Sequence, residues 1–234
     1  MKGLYLKLSL IILLVGILAC SSDDSSNEPG LSVNFKTVTS SFSTNSQSAL
    51  FNRQATSGSF IFNEGFITLT AMEFEAESEN DIESVEFELE GTIVIDFATG
   101  IPSPDIRNIT IPAGTYEEVS VELEILDEND DPSVVLIGTY SSPEGNVLPV
   151  RFEFNSGETF EVEREGTIVF TENQSAIAQI TFDPSIWFAE VTDDMMADAN
   201  QLDGVIVISE TQNSEIFDIV ADGLDLATEL EIEN

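Results

Sequence analysis

The chain has 234 residues, 44 acidic against 7 basic side chains, no histidine and a formal charge of −37. That balance cannot replace the counterions of a phosphate backbone or grip anionic lipid, which excludes nucleic acid and electrostatic membrane docking. The missing histidine removes the commonest general base and zinc ligand, and 42% apolar residues exclude a disordered acidic tail.

Residues 1–19 read as a lipoprotein signal peptide. Lys2 and Lys7 precede an almost wholly apolar run, Leu8 to Leu18. The run falls short of the about 20 residues a membrane-spanning helix needs, and it matches a signal h-region. It ends in Ile17-Leu18-Ala19-Cys20, which resembles the lipobox of bacterial lipoproteins. The resemblance implies cleavage after Ala19 and acylation, palmitate included, at Cys20. Loss of Lys2 and Lys7 would leave the mature chain two charges more negative. With the only cysteine acylated, disulfides, thiolate chemistry and cysteine-based metal sites are excluded. Residues 20–30 hold the modified cysteine and a tether, Ser21 to Gly30, with no apolar side chain. Its Ser22-Asp23-Asp24 is similar to the acidic export signal of bacteroidete-type surface lipoproteins. That implies an outer-membrane, lipid-anchored, surface-exposed protein.

From residue 31 to 234 the sequence reads as one domain with a dominant period of two. Strands are expected at Leu31–Val38, Ser59–Phe62, Gly65–Phe74, Val85–Glu90, Gly91–Phe97, Arg107–Ile111, Val119–Ile125, Val134–Tyr140, Val150–Phe154, Phe160–Glu163, Thr167–Phe170, Ala176–Phe182 and Val205–Ser209. Asn63-Glu64-Gly65 and Asn155-Ser156-Gly157 read as hairpin loops. Most acids fall on the wet faces of alternating strands such as Val85-Glu86-Phe87-Glu88-Leu89-Glu90. Glu90-Gly91-Thr92-Ile93-Val94 recurs as Glu165-Gly166-Thr167-Ile168-Val169, which reads as two similar strand starts rather than a duplicated half.

Near the C-terminus, Asp183 and Pro184 open a short helix and Asp193–Asn200 forms a helical turn or a loop. Ser214 caps a helix with an Ile216, Phe217, Val220, Leu224 stripe, and Gly223 ends it. The expected fold is all-β: an antiparallel β-sandwich, immunoglobulin/transthyretin-like, with a short C-terminal helix.

The order of lipobox, Ser57-Gly58-Ser59, Ile111-Pro112-Ala113-Gly114-Thr115-Tyr116, Gly138-Thr139-Tyr140, Leu148 to Glu153 and Asn213 to Phe217 resembles bacteroidete-type surface lipoproteins with a β-sandwich domain. The likeness spans residues 31 to 234. It implies fold and location and carries no catalytic residues.

For chemistry, serine and threonine lack a histidine base, and no Gly-x-Ser-x-Gly elbow, P-loop or dinucleotide fingerprint occurs. One Trp and 3 Tyr against 16 Phe argue against a sugar platform. The candidate cation ligands are Asp127, Asn129, Asp130 and Asp131, in an acidic loop between apolar strands that reads as a hairpin tip. Oxygen ligands in a tight loop suit Ca²⁺, but a solvated turn made of good turn formers is the preferred reading. Asp193, Asp194, Asp198 and Asp203 form a second cluster. Trp187 reads as half-buried core, and each arginine as an ion-pair partner. The expectation is a non-enzymatic, lipid-anchored binding or structural module without a cofactor, its protein or glycan partner open. The alternatives are a calcium-stabilised adhesion module and a carboxylate-only hydrolase.

Overall fold

The computed structural model describes residues 30–44, 57–78, 84–106, 109–127, 131–155, 159–172, 175–224 and 228–233. The signal peptide, Cys20, Asn129 and Asp130 lie outside them. The described chain is mostly β-sheet with a few short helices.

Its strands are Gly30–Thr37 (β1), Phe42–Ser43 (β2), Ser59–Ser78 (β3), Val85–Asp96 (β4), Pro102–Ser103 (β5), Ile109–Thr110 (β6), Gly114–Ile125 (β7), Val134–Ser141 (β8), Val147–Phe154 (β9), Thr159–Phe170 (β10) and Ser175–Phe182 (β11). Helices Pro184–Trp187 (α1) and Asp193–Asp198 (α2) follow. Next come Gln201–Leu202 (β12), Val205–Ile208 (β13), helix Ser214–Leu224 (α3) and Thr228–Glu233 (β14). A four-stranded sheet runs β14-β11-β1-β6, and a larger one runs β10-β7-β3-β8-β9-β13-β12. Strands β2 and β4 also pair with β3, and β5 pairs with β4.

The sheets are mixed rather than purely antiparallel, because β1 pairs with β11 and β13 with β9 in parallel. Side-chain alternation has the same period in both pairings and does not encode strand direction. Parallel neighbours need long crossovers, and here most of the chain lies between β1 and β11.

Three expected strand breaks are bulges inside long strands. Asn63-Glu64-Gly65 does not turn the chain. β3 runs through it, and the β8 register slips between Phe62 and Glu64. At Gly91 the β3–β4 register slips opposite Thr70, and at Gly166 the β7–β10 register slips opposite Glu117. Gly65, Gly91 and Gly166 have φ of 139°, 126° and 120°, a region that favours glycine. The repeated Glu-Gly-Thr-Ile-Val is therefore the same mid-strand bulge used twice, not two strand starts. A bulge adds one residue and bends the strand, which is how strands this long follow a twisted sheet.

Strand β3 organises the larger sheet. Along one edge β8 covers Ser59 to Ile67 and β7 covers Leu69 to Ser78, while β4 takes the opposite edge from Phe66 to Ala76. The acidic loop at 127–131 is thus no hairpin tip. It joins β7 and β8, which lie end to end on β3 rather than beside each other. Asn155 likewise ends no hairpin: β9 pairs with β8 and β10 with β7, so β9 and β10 also follow each other end to end.

Both sheets and all three helices contribute to one hydrophobic core. Phenylalanines dominate it, as the composition suggests: Phe188 sits 5.2, 4.9 and 5.7 Å from the rings of Phe60, Phe62 and Phe152. Phe217 of α3 stacks on Phe152 and Phe154 at 6.2 and 5.9 Å. Such pairs contribute about 0.5–1.5 kcal/mol each beyond their buried area. Trp187 is not half-buried but 2% exposed, against Phe182.

Of the helix starts, that of α1 follows its expected capping. Asp183 accepts from Ser185 N at 2.8 Å with Pro184 in the first turn, and Thr192 accepts from Met195 N at 3.3 Å. Asn213 rather than Ser214 organises the start of α3. At φ 53° it accepts from Asn200 N and donates through Nδ2 to Asn200 O and Val207 O. Helix α3 runs through Gly223 to Leu224, and β14 follows it, so the helix is not the last element. Gly223 is required by contact: a Cβ there would stand 2.6 Å from Trp187 O.

Candidate functional site

The acids fall into three settings. The largest is the outer face of β4-β3-β7-β10. Register puts Glu88, Glu73 and Glu122 in one row across β4, β3 and β7, and Glu86, Glu75 and Ser120 in the next. Like charges directly opposite each other oppose pairing. The strain is concentrated at half-buried Glu73. Its carboxyl is held above the ordinary value, first by partial burial and then by the charges of Glu75, Glu86, Glu122 and Glu88. Among the described residues, the carboxylate trio with oxygens within 4.8 Å of one another is Glu73, Glu75 and Glu86. Sequence reading named none of the three as ligands. The alternation Glu73-Phe74-Glu75 was visible, but the β3–β4 register that puts Glu75 opposite Glu86 was not.

The second setting is Asp193, in the first turn of α2. Its Oδ1 accepts from Tyr140 Oη at 2.8 Å, and Gly58 N donates to both its oxygens at 3.1 and 3.2 Å. Thr44 Oγ1 reaches both Asp193 Oδ1 and Gly58 O, and its one proton favours the charged acceptor. One carboxylate thus joins the ends of β2 and β3 to β8 and to α2. Gly58 is required here, because a Cβ would stand 2.4 Å from Asp193 Oδ1. Burial pushes the Tyr140 phenol up, and its hydrogen bond to Asp193 and that carboxylate's charge add to the effect. The expected cluster does not assemble: Asp194, Asp198 and Asp203 are exposed, and Asp193 alone turns inward to these partners.

The third setting is the acidic loop. Asp127 and Asp131 are both exposed. Beside the loop lies a hollow of about 280 Å³ lined by Pro132, Glu153, Asn155, Ser209, Glu210 and Thr211. Of its two carboxylates, Glu153 pairs with Arg151 Nε, as the ion-pair reading of the arginines expects. A larger hollow of about 460 Å³, between β1 and residues 98–102, has Asn34, Lys36, Thr99 and Gln179 in its wall and no carboxylate. Gly100, at φ 69°, lets that turn lie against Phe35 O.

No family model, curated protein or solved structure matches the chain. No helix among the described residues is long and apolar enough to cross a membrane.

Proposed function

We propose that this chain is a lipid-anchored protein of the cell envelope, attached through Cys20 to the outer membrane and facing outward. Its domain is a β-sandwich of the immunoglobulin/transthyretin kind that serves as a non-enzymatic binding or structural module. The observation that carries the reading is the use made of the carboxylates. Asp193, which accepts from Thr44, Gly58 and Tyr140, ties strands to a helix. Many of the others stand on an open sheet face, where they keep a lipid-tethered body solvated. A hydrolase working with carboxylates alone needs two of them facing each other across a cleft. The larger hollow offers none, and the smaller has one of its two engaged by Arg151.

The sandwich reading is supported by Tyr116. Buried at 1% exposure, it donates from its hydroxyl to Pro112 O at 3.0 Å. That is the tyrosine-corner device of Greek-key sandwiches. Protease treatment of intact cells tests the reading. The chain should be lost while a periplasmic enzyme survives, and its survival alongside that enzyme would place it on the inner side.

A further inference from the structure

The two halves of the larger sheet present opposite chemistry to the outside. One half is the glutamate face. The other, formed by the first half of β3 with β8, β9 and β13, points apolar side chains outward. Ile61 and Ile137 are each 37% exposed and Val147 is 62% exposed. Phe188, at the C-terminal cap of α1, and Phe217 of α3 pack on its inner side. Val135, on the same face of β8, is buried, so the exposed part lies toward Ile137, Ile61 and Val147.

We infer that this face binds a second copy of the same chain. Two observations select that occupant. The first is charge. With 44 acidic residues against 7 basic, contact through the glutamate face would press rows of carboxylates together. Here the acids are Glu64 and Glu153, and Glu153 is already paired with Arg151.

The second is the order of one row. Register places Glu64, Ile137 and Arg151 side by side across β3, β8 and β9. Within these three strands the row reads acid, apolar, base; Val207 of β13 continues it beyond Arg151. A two-fold axis parallel to the strands and above β8 lays the row on its own reverse. Ile137 then meets Ile137 of the other copy, and Arg151 meets its Glu64. The neighbouring row, Ile61, Thr139 and Pro149, is apolar at both ends and superimposes on its reverse without a charge clash. A C2 interface requires this self-complementarity, and aligned sheets stack face to face in this way.

The size sets the strength. Three overlapping strands about 4.8 Å apart and about 27 Å long give roughly 390 Å² per copy and roughly 800 Å² in all, below the usual range of specific interfaces and in that of weak, transient ones. The dimer is therefore weak in solution and concentration-dependent. Tethering to a membrane would favour it, but the inference does not depend on the tether.

Sedimentation equilibrium of the full chain in density-matched non-ionic detergent tests it. A reversible monomer–dimer equilibrium is expected. Ile137→Glu should weaken it at least about tenfold, since it places two carboxylates on the axis. Glu64→Arg and Arg151→Glu should each weaken self-association, and mixing these two variants should restore it, because each then supplies the charge the other lacks. Circular dichroism and the unfolding midpoint of each variant should match the wild type to within a few degrees. A chain that stays monomeric at every concentration overturns the inference. So does an Ile137→Glu variant that dimerises like the wild type, or a mixture no stronger than either variant alone.

Discussion

Replacing Asp193 by alanine should be among the most damaging single changes on the surface of this domain. The side chain accepts from Tyr140 Oη, Gly58 N and Thr44 Oγ1, and the last two flank the link between β2 and β3. A hydrogen bond to a charged group contributes about 1.5–3 kcal/mol, and a buried donor left without a partner costs about 1–3 kcal/mol. Thr44 is 5% exposed and Tyr140 2% exposed, so water replaces the carboxylate poorly. These terms overlap, and a loss of about 3–5 kcal/mol is expected. Tyr140→Phe removes one donor and leaves the other two, at about 1–2 kcal/mol. In the double mutant the losses should not add, with a coupling of about 1 kcal/mol or more, because the two atoms share one bond. Urea unfolding at pH 7 measures all four species. The control is Asp194→Ala, one residue along and exposed, expected to lie within about 0.5 kcal/mol of wild type. If Asp193→Ala behaves like Asp194→Ala, the carboxylate is not a latch and the reasoning fails.

Gly91→Ala should cost about 1–3 kcal/mol from φ alone, since no atom stands within 4 Å of its added Cβ. Gly65→Ala should cost more, because its Cβ would also stand 1.9 Å from Val135 O; denaturant titration giving equal losses would contradict the bulge geometry. Glycine to alanine inside a helix usually stabilises by about 1 kcal/mol, yet Gly223→Ala should lower the melting temperature, because Trp187 O occupies the space. Glu73→Gln should raise the melting temperature at pH 7. The folded-state pKa of Glu73 lies above 4.5, so its protonated form favours folding. Its contribution is full below pH 4.5 and is lost as pH rises through the folded value. The gain from Glu73→Gln should therefore shrink as pH falls, and a gain that grows on acidification would reverse the sign of the argument.

How far the sequence could be read follows from what each signal encodes. Alternation exposed the strands and the wet glutamates, because period two is written into the side chains themselves. The cap at Asp183 is local as well. What escaped is non-local. Gly65, Gly91 and Gly166 look like turns or strand starts because a positive-φ glycine serves hairpins and bulges alike, and only the partner strand distinguishes them. Asp193 and Asp194 are identical in composition and context, and burial against Tyr140 separates them. The row Glu64, Ile137, Arg151 spans nearly ninety residues of sequence and exists only in the β3–β8–β9 register. Strand direction left no trace in the alternation, and the parallel pairs β1–β11 and β9–β13 went unforeseen for that reason.

The most direct test of the central claim is at Cys20. Cells producing the chain are fed a clickable fatty acid and fractionated, with wild type and Cys20→Ala compared. The account predicts label on the wild type, recovered with membranes, and an unlabelled Cys20→Ala chain released to the soluble fraction. An unlabelled wild type in the soluble fraction would contradict it.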